Sequence, residues 1–189
     1  MKTDGGNRRR AGWLLALGAA QFLIALVLAE SIYPGYSVSA NFISDLGVGP
    51  AAGVFNGSVM LLGLMVLLGA YFGWKEFREP FFAAALALSG LGALGVGLFP
   101  EGSGLHLPAS FAVFFFGALA ALLAYRLRMS RAEAALSALA GAASLLALAL
   151  FASRITLGIG VGGMERMVAY PILIWAVGIG GRWMGKKEG

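Results

Sequence analysis

The chain has no cysteine and a single histidine, His106. The first absence excludes disulfides and thiolate metal sites; the second excludes any metal centre built on two or more histidines. Charge is scarce as well. Charged residues make up 12% of the chain against 59% hydrophobic, whereas a soluble domain lies nearer a quarter charged and half apolar. Burying so much apolar surface without water calls for a membrane, so the sequence reads as an integral membrane protein.

What is present supports this. Apolar runs of about 20 residues, long enough as helix to cross roughly 30 Å of hydrocarbon, recur from Ala11 to Ala29, Ala51 to Trp74, Pro80 to Phe99, Leu105 to Tyr125, Ala132 to Ala152 and Met164 to Trp183. The expected fold is all-α: six transmembrane helices in one bundle over residues 11–183, with short tails at 1–10 and 184–189. Plentiful glycine and alanine suit helices that pack closely in lipid.

The net charge of +5 acquires meaning once it is mapped onto this topology. Lys2, Arg8, Arg9, Arg10, Lys75, Arg78, Arg126, Arg128, Arg131, Arg182, Lys186 and Lys187 fall at the termini and in the second and fourth loops. The positive-inside rule places those regions in the cytoplasm and the first, third and fifth loops outside. No basic-aromatic patch accompanies the charges, so nucleic acid is not expected as a partner. Arg8 to Arg10 before an apolar run, with Val27 and Ala29 spaced for cleavage, has some features of a signal peptide. The run outlasts the ~7–15 residues of such a core and is read as a retained first helix.

Of the remaining ionisable residues, Glu30, Asp45, Glu101, His106, Arg154, Glu165 and Arg166 lie in or beside the three outer loops. The middles of the spans carry only Gln21 and scattered Ser and Asn as polar side chains, which argues against an ion-coupled transporter with a midplane site. In "YPGYSVSANFISDLG", Pro34 and Gly35 break the first helix, and the following residues fit one short amphipathic helix ending at Gly47. Asn41, Ser44 and Asp45 would share its polar face. A purely structural role, in which Ser44 and Asp45 satisfy loop backbone groups, stands beside a functional one.

His106 and Ser110 lie one helical turn apart and could form a serine-histidine pair, or a hydrogen bond that serves packing alone. Glu165 and Arg166 are adjacent, so they diverge by about 100° on a helix and each needs another partner. Arg154 is expected for Glu165, and Asp45 or Glu101 for Arg166, in an ionic network at the helix ends. Pro171 would free the Met167 carbonyl and bend the last helix. Gly158, Gly160 and Gly163 match a dinucleotide-binding pattern, but no strand precedes them, so they read as a flexible loop. The sequon at Asn56 falls inside a span and is chance.

"YPGYSVSANFISDLGVGP", "VGLFPEGSGLHLPAS" and "GVGGMERMVAYPILIW", in this order, resemble a prokaryotic membrane family known as domain of unknown function 998. The resemblance implies six membrane helices, singles out Ser44, Asp45, His106, Glu165 and Arg166, and brings no activity with it. The "ISDLG" element, followed by Pro50 and Phe55, is also similar, more distantly, to the DRAM, Frag and Sfk membrane proteins.

The expected function is binding or modification of a lipid or other amphiphile at an outer polar site. Asp45 or Glu165 would act as base or metal ligand, His106 as acid-base partner, and Arg166 or Arg154 as an anion anchor; Asn41, Ser44 and Glu30 would complete the binding surface. Two other classes compete. A channel or small-solute transporter needs a polar path inward along Gln21, Asn56 and the serines; a structural or assembly protein needs paired carboxylates and no cavity. Membrane lipid is the expected partner, a homo-oligomer is open, and no cofactor or metal can be read from the residues.

Overall fold

A computed structural model describes residues 5–127 and 129–185; Lys2, Arg128, Lys186 and Lys187 lie outside the described residues. The six expected spans form six helices: α1 (Gly6–Ile32), α2 (Ala52–Phe77), α3 (Pro80–Leu98), α4 (His106–Leu123), α5 (Arg131–Ala152) and α6 (Gly160–Gly185). A 3-10 turn, Ala124–Leu127, extends α4. All six spans, α4 counted with that turn, are long and apolar enough to cross a membrane.

Several helices outrun their apolar runs because the flanking cations find aromatic faces. The guanidinium of Arg8 lies 5.8 Å from the Phe77 ring centroid, and that of Arg10 lies 5.5 Å from Phe72. Such contacts let a basic side chain remain helical while its charge reaches the interface. Pro80 opens α3 at a position whose N–H has no helical acceptor in any case. Ser130 and Glu133 form a reciprocal capping box at the start of α5.

Each helix packs against its neighbour in the chain, and α6 closes the ring against α1. α5 rests on α4 and α6 toward the outside, and α4 and α6 touch only briefly. Glycine sets how close the helices come. A Cβ on Gly12 would stand 2.6 Å from the Gly180 carbonyl oxygen, and one on Gly63 would stand 2.7 Å from that of Gly90. In hydrocarbon, where water gives no push toward association, contact of this closeness supplies the packing energy. Two polar side chains within the spans reach backbone carbonyls. Gln21 donates to the carbonyls of Gly18 and Ser58 at 3.0 and 2.9 Å, and Ser144 donates to Val168 at 2.6 Å.

Both described chain ends lie at one end of the bundle, where Trp183 stacks near Phe77 and Phe82. The first, third and fifth loops gather at the opposite end, and this loop end holds the polar groups.

Substituting Gly63→Leu should lower the stability of the folded bundle by about 1–3 kcal/mol or more, because the new side chain meets backbone that cannot move aside. Thermal unfolding in detergent reads this directly; an unchanged midpoint would show that α2 and α3 do not depend on this contact.

Candidate functional site at the loop end of the bundle

The first loop does not form the expected amphipathic helix over its whole length. Only Ser44–Gly47 is helical, as a single 3-10 turn. The cause is local competition for hydrogen bonds. Asp45 Oδ2 accepts from the Phe42 backbone N–H at 2.9 Å and from Asn41 Nδ2 at 3.0 Å, and Asn41 Oδ1 accepts from the Ser37 N–H at 3.1 Å. Such Asx bonds offer the backbone an alternative to the helical ladder. Asn41 and Asp45 therefore shape the loop, and their side chains are occupied in doing so.

The folded loop is pinned onto the start of α6. The Gly162 N–H donates to the Ser39 carbonyl at 3.0 Å. A Cβ on Gly160 would overlap the Ser39 carbonyl oxygen, and one on Gly162 would overlap that of Asn41. Gly160 also has φ +80°, a left-handed conformation that favours glycine. The glycine-rich segment expected to be a flexible loop is instead a tight seat for the first loop.

Arg166, 5% exposed, holds this assembly together. Its Nη1 donates to the carbonyls of Val38 and Gly162 at 3.0 and 2.9 Å. Its Nη2 donates to Glu30 Oε1 at 2.5 Å and to the Tyr36 hydroxyl at 2.7 Å. The Tyr36 hydroxyl in turn donates to the Phe42 carbonyl at 2.8 Å, and burial pushes its pKa up, which keeps the proton it donates. Arg166 thus pairs with Glu30, not with Asp45 or Glu101 as expected. Glu30 sits on the last turn of α1, one turn before the chain enters the first loop, so it reaches the guanidinium with no detour.

Glu165 has no cationic side-chain partner among the described residues. Arg154, expected to supply one, lies exposed beyond the end of α5 with φ +61° and makes no ion pair among the described residues. The Glu165 side chain, 6% exposed, accepts the Ile43 backbone N–H at 2.5 Å through Oε2. One further contact ties the first loop to the third, and two more lie across the third loop and in the first turn of α4. Ser44 Oγ donates to Glu101 Oε2 at 2.9 Å. His106 Nδ1 lies 2.9 Å from the Phe99 carbonyl, and His106 Nε2 lies 3.2 Å from Ser110 Oγ.

Beneath this roof is a cavity of about 100 Å³ between α1, α2, α3, α4 and α6. Its polar lining consists of Glu165, Ser110 and Ser89, with Ile43 of the first loop and Trp175, Leu86 and Val66 among the apolar wall. Ser89 is committed to the Val113 carbonyl at 3.0 Å. The expected site residues therefore separate into groups. Glu165 and, one turn inside α4, Ser110 face the cavity; Arg166 and Glu30 form a clamp; Asn41, Ser44 and Asp45 build the roof; Arg154 stands apart. Among the described residues, no group of three or more His, Asp or Glu side chains is placed to hold a metal ion. Tyr36 was not read as a site residue from the sequence. Its position beside a turn proline carried no sign that it would meet a cation far along the chain.

Fold and site together define an integral membrane protein with a roofed cavity inside a six-helix bundle. The family model described as "Protein of unknown function (DUF998)" matches residues 16–182, and the chain belongs to that family. No curated protein and no solved structure matches the chain.

Arg166→Met should cost about 1–3 kcal/mol, because it leaves the half-buried Glu30 carboxylate and the Val38 and Gly162 carbonyls without their donor. Equilibrium unfolding in mixed micelles measures the loss, and wild-type stability in this variant would refute the clamp. A pH effect follows from Glu101. Burial, then the neighbouring Asp45 carboxyl, raise its pKa, while Ser44 and His106 pull the other way. The folded chain thus holds this proton more tightly than the unfolded chain does. Its stabilising contribution is complete below the ordinary Glu value of about 4.3 and fades as pH rises through the raised value. Melting temperature should fall over that window, and Glu101→Gln should flatten the fall; an equal slope in the variant would assign it elsewhere.

Proposed function

We propose that this protein binds an amphiphile inside the bundle, with the polar head at Glu165 and an apolar chain along the cavity. The observation that carries this reading is a nearly all-apolar internal void headed by a single buried carboxyl. An unfilled void of about 100 Å³ forgoes about 2 kcal/mol of packing. A bound hydrocarbon segment would restore those contacts, and Glu165 would give its head group a hydrogen-bonding partner. The resting cavity is smaller than the ~150 Å³ that admits benzene in an engineered core. A full-length chain therefore enters only by parting the helices.

The charge distribution supports an orientation with both termini in the cytoplasm and the roofed site at the outer leaflet, where a membrane lipid is the natural ligand. A channel has less support. Gln21 and Asn56, the residues that would line a polar path, are bonded to backbone carbonyls and do not line the cavity.

Native mass spectrometry of the protein released from mild detergent should show a defined long-chain adduct on wild type. Ala169→Leu, which fills the cavity, should abolish it, and Glu165→Gln should weaken it about tenfold or more through loss of a charge-assisted hydrogen bond. Absence of any adduct on wild type, together with a higher melting temperature for Ala169→Leu, would mean that the void is empty and the reading wrong.

A further inference from the structure

We propose that Ser110 is a nucleophile, activated by His106, that takes the acyl group from a long-chain ester lodged in the bundle cavity. This rests on the amphiphile reading above and gives it a chemistry. His106 Nδ1 lies 2.9 Å from the Phe99 carbonyl oxygen. A carbonyl only accepts hydrogen bonds, so Nδ1 carries the ring proton and Nε2 presents its lone pair. Ser110 Oγ stands 3.2 Å from that nitrogen. Nucleophile, base and orienting group thus follow one another as hydroxyl, imidazole and backbone carbonyl.

A serine bonded for packing alone in a helix commonly turns back to a carbonyl of its own preceding turn. Ser110 instead meets an imidazole and at the same time forms part of the cavity wall. Its hydroxyl stands where an apolar chamber meets the polar roof, the depth at which an ester linkage would lie if its chain ran inward.

The steps balance with water as the second reactant. Ser110 Oγ attacks the ester carbonyl carbon and its proton passes to His106 Nε2. The tetrahedral adduct collapses as the bond to the alcohol oxygen breaks, and His106 returns the proton to that oxygen. Water, deprotonated by His106, then attacks the acyl-serine and releases a carboxylic acid, restoring the hydroxyl.

A long-chain alkyl fluorophosphonate tests this, since it forms an Oγ–phosphorus bond and expels fluoride only at an activated serine. Wild type in mild detergent should gain a single adduct, mapped to Ser110 by peptide mass spectrometry. Ser110→Ala should take no adduct, and His106→Gln should react about a hundredfold more slowly. Wild type that retains an amphiphile yet leaves Ser110 unlabelled overturns the proposal, as does a His106→Gln variant that reacts at the wild-type rate. Wild type that neither retains an amphiphile nor labels would remove the cavity reading itself, and this proposal with it.

Discussion

A guanidinium cannot lose its charge to suit apolar surroundings, so the protein must surround it. Arg166 is met by four acceptors drawn from three parts of the chain: Glu30 on α1, Tyr36 and Val38 in the first loop, and Gly162 on its own helix. Bringing those acceptors to its two terminal nitrogens fixes where the first loop must run. With the loop drawn over the start of α6, Asn41 and Asp45 close it on itself, and the Ile43 N–H is delivered to Glu165. The roof of the cavity is therefore a consequence of where a cation was placed.

The same placement divides two adjacent residues between two tasks. Arg166 turns toward α1 and the loop, and Glu165 turns toward the cavity, as the helical rotation between neighbours requires. Because the arginine is already matched by Glu30, the Glu165 carboxyl is left without a cation. Opposite it, α4 begins with His106 and Ser110, which pair with each other and not with the carboxylates of the roof. The loop end thus holds a structural ionic layer above, and below it a small set of groups directed into hydrocarbon-like space.

The spans were legible because composition and run length report the solvent directly, and each of the six runs became a helix. The charged ends of α6 were legible too, since Glu165 and Arg166 stand out in an apolar sequence. Their partners were not. Choosing Glu30 over Asp45 or Glu101 depends on the path of a loop, and that path depends on side-chain bonds to backbone that leave no periodic trace. The helix expected across the first loop failed for this reason, as Asp45 and Asn41 capped local turns in place of a helical face. Gly160 and Gly162 were hidden differently. With 29 glycines in the chain, nothing marks the two whose missing side chains admit another backbone, and only the fold shows that they seat the first loop.

The contacts of α6 with α1 and the first loop join residues separated by some 130 positions, Arg166 to Glu30 at 136 and to Val38 at 128. During synthesis the chain emerges from its N-terminus, so α1 and its loop enter the bilayer long before α6 exists. Until the last helix arrives, the half-built bundle has no lid and the surrounding lipid has free access to its interior. Insertion of α6 is thus also an act of enclosure, since the last helix both closes the ring against α1 and gives the first loop its seat.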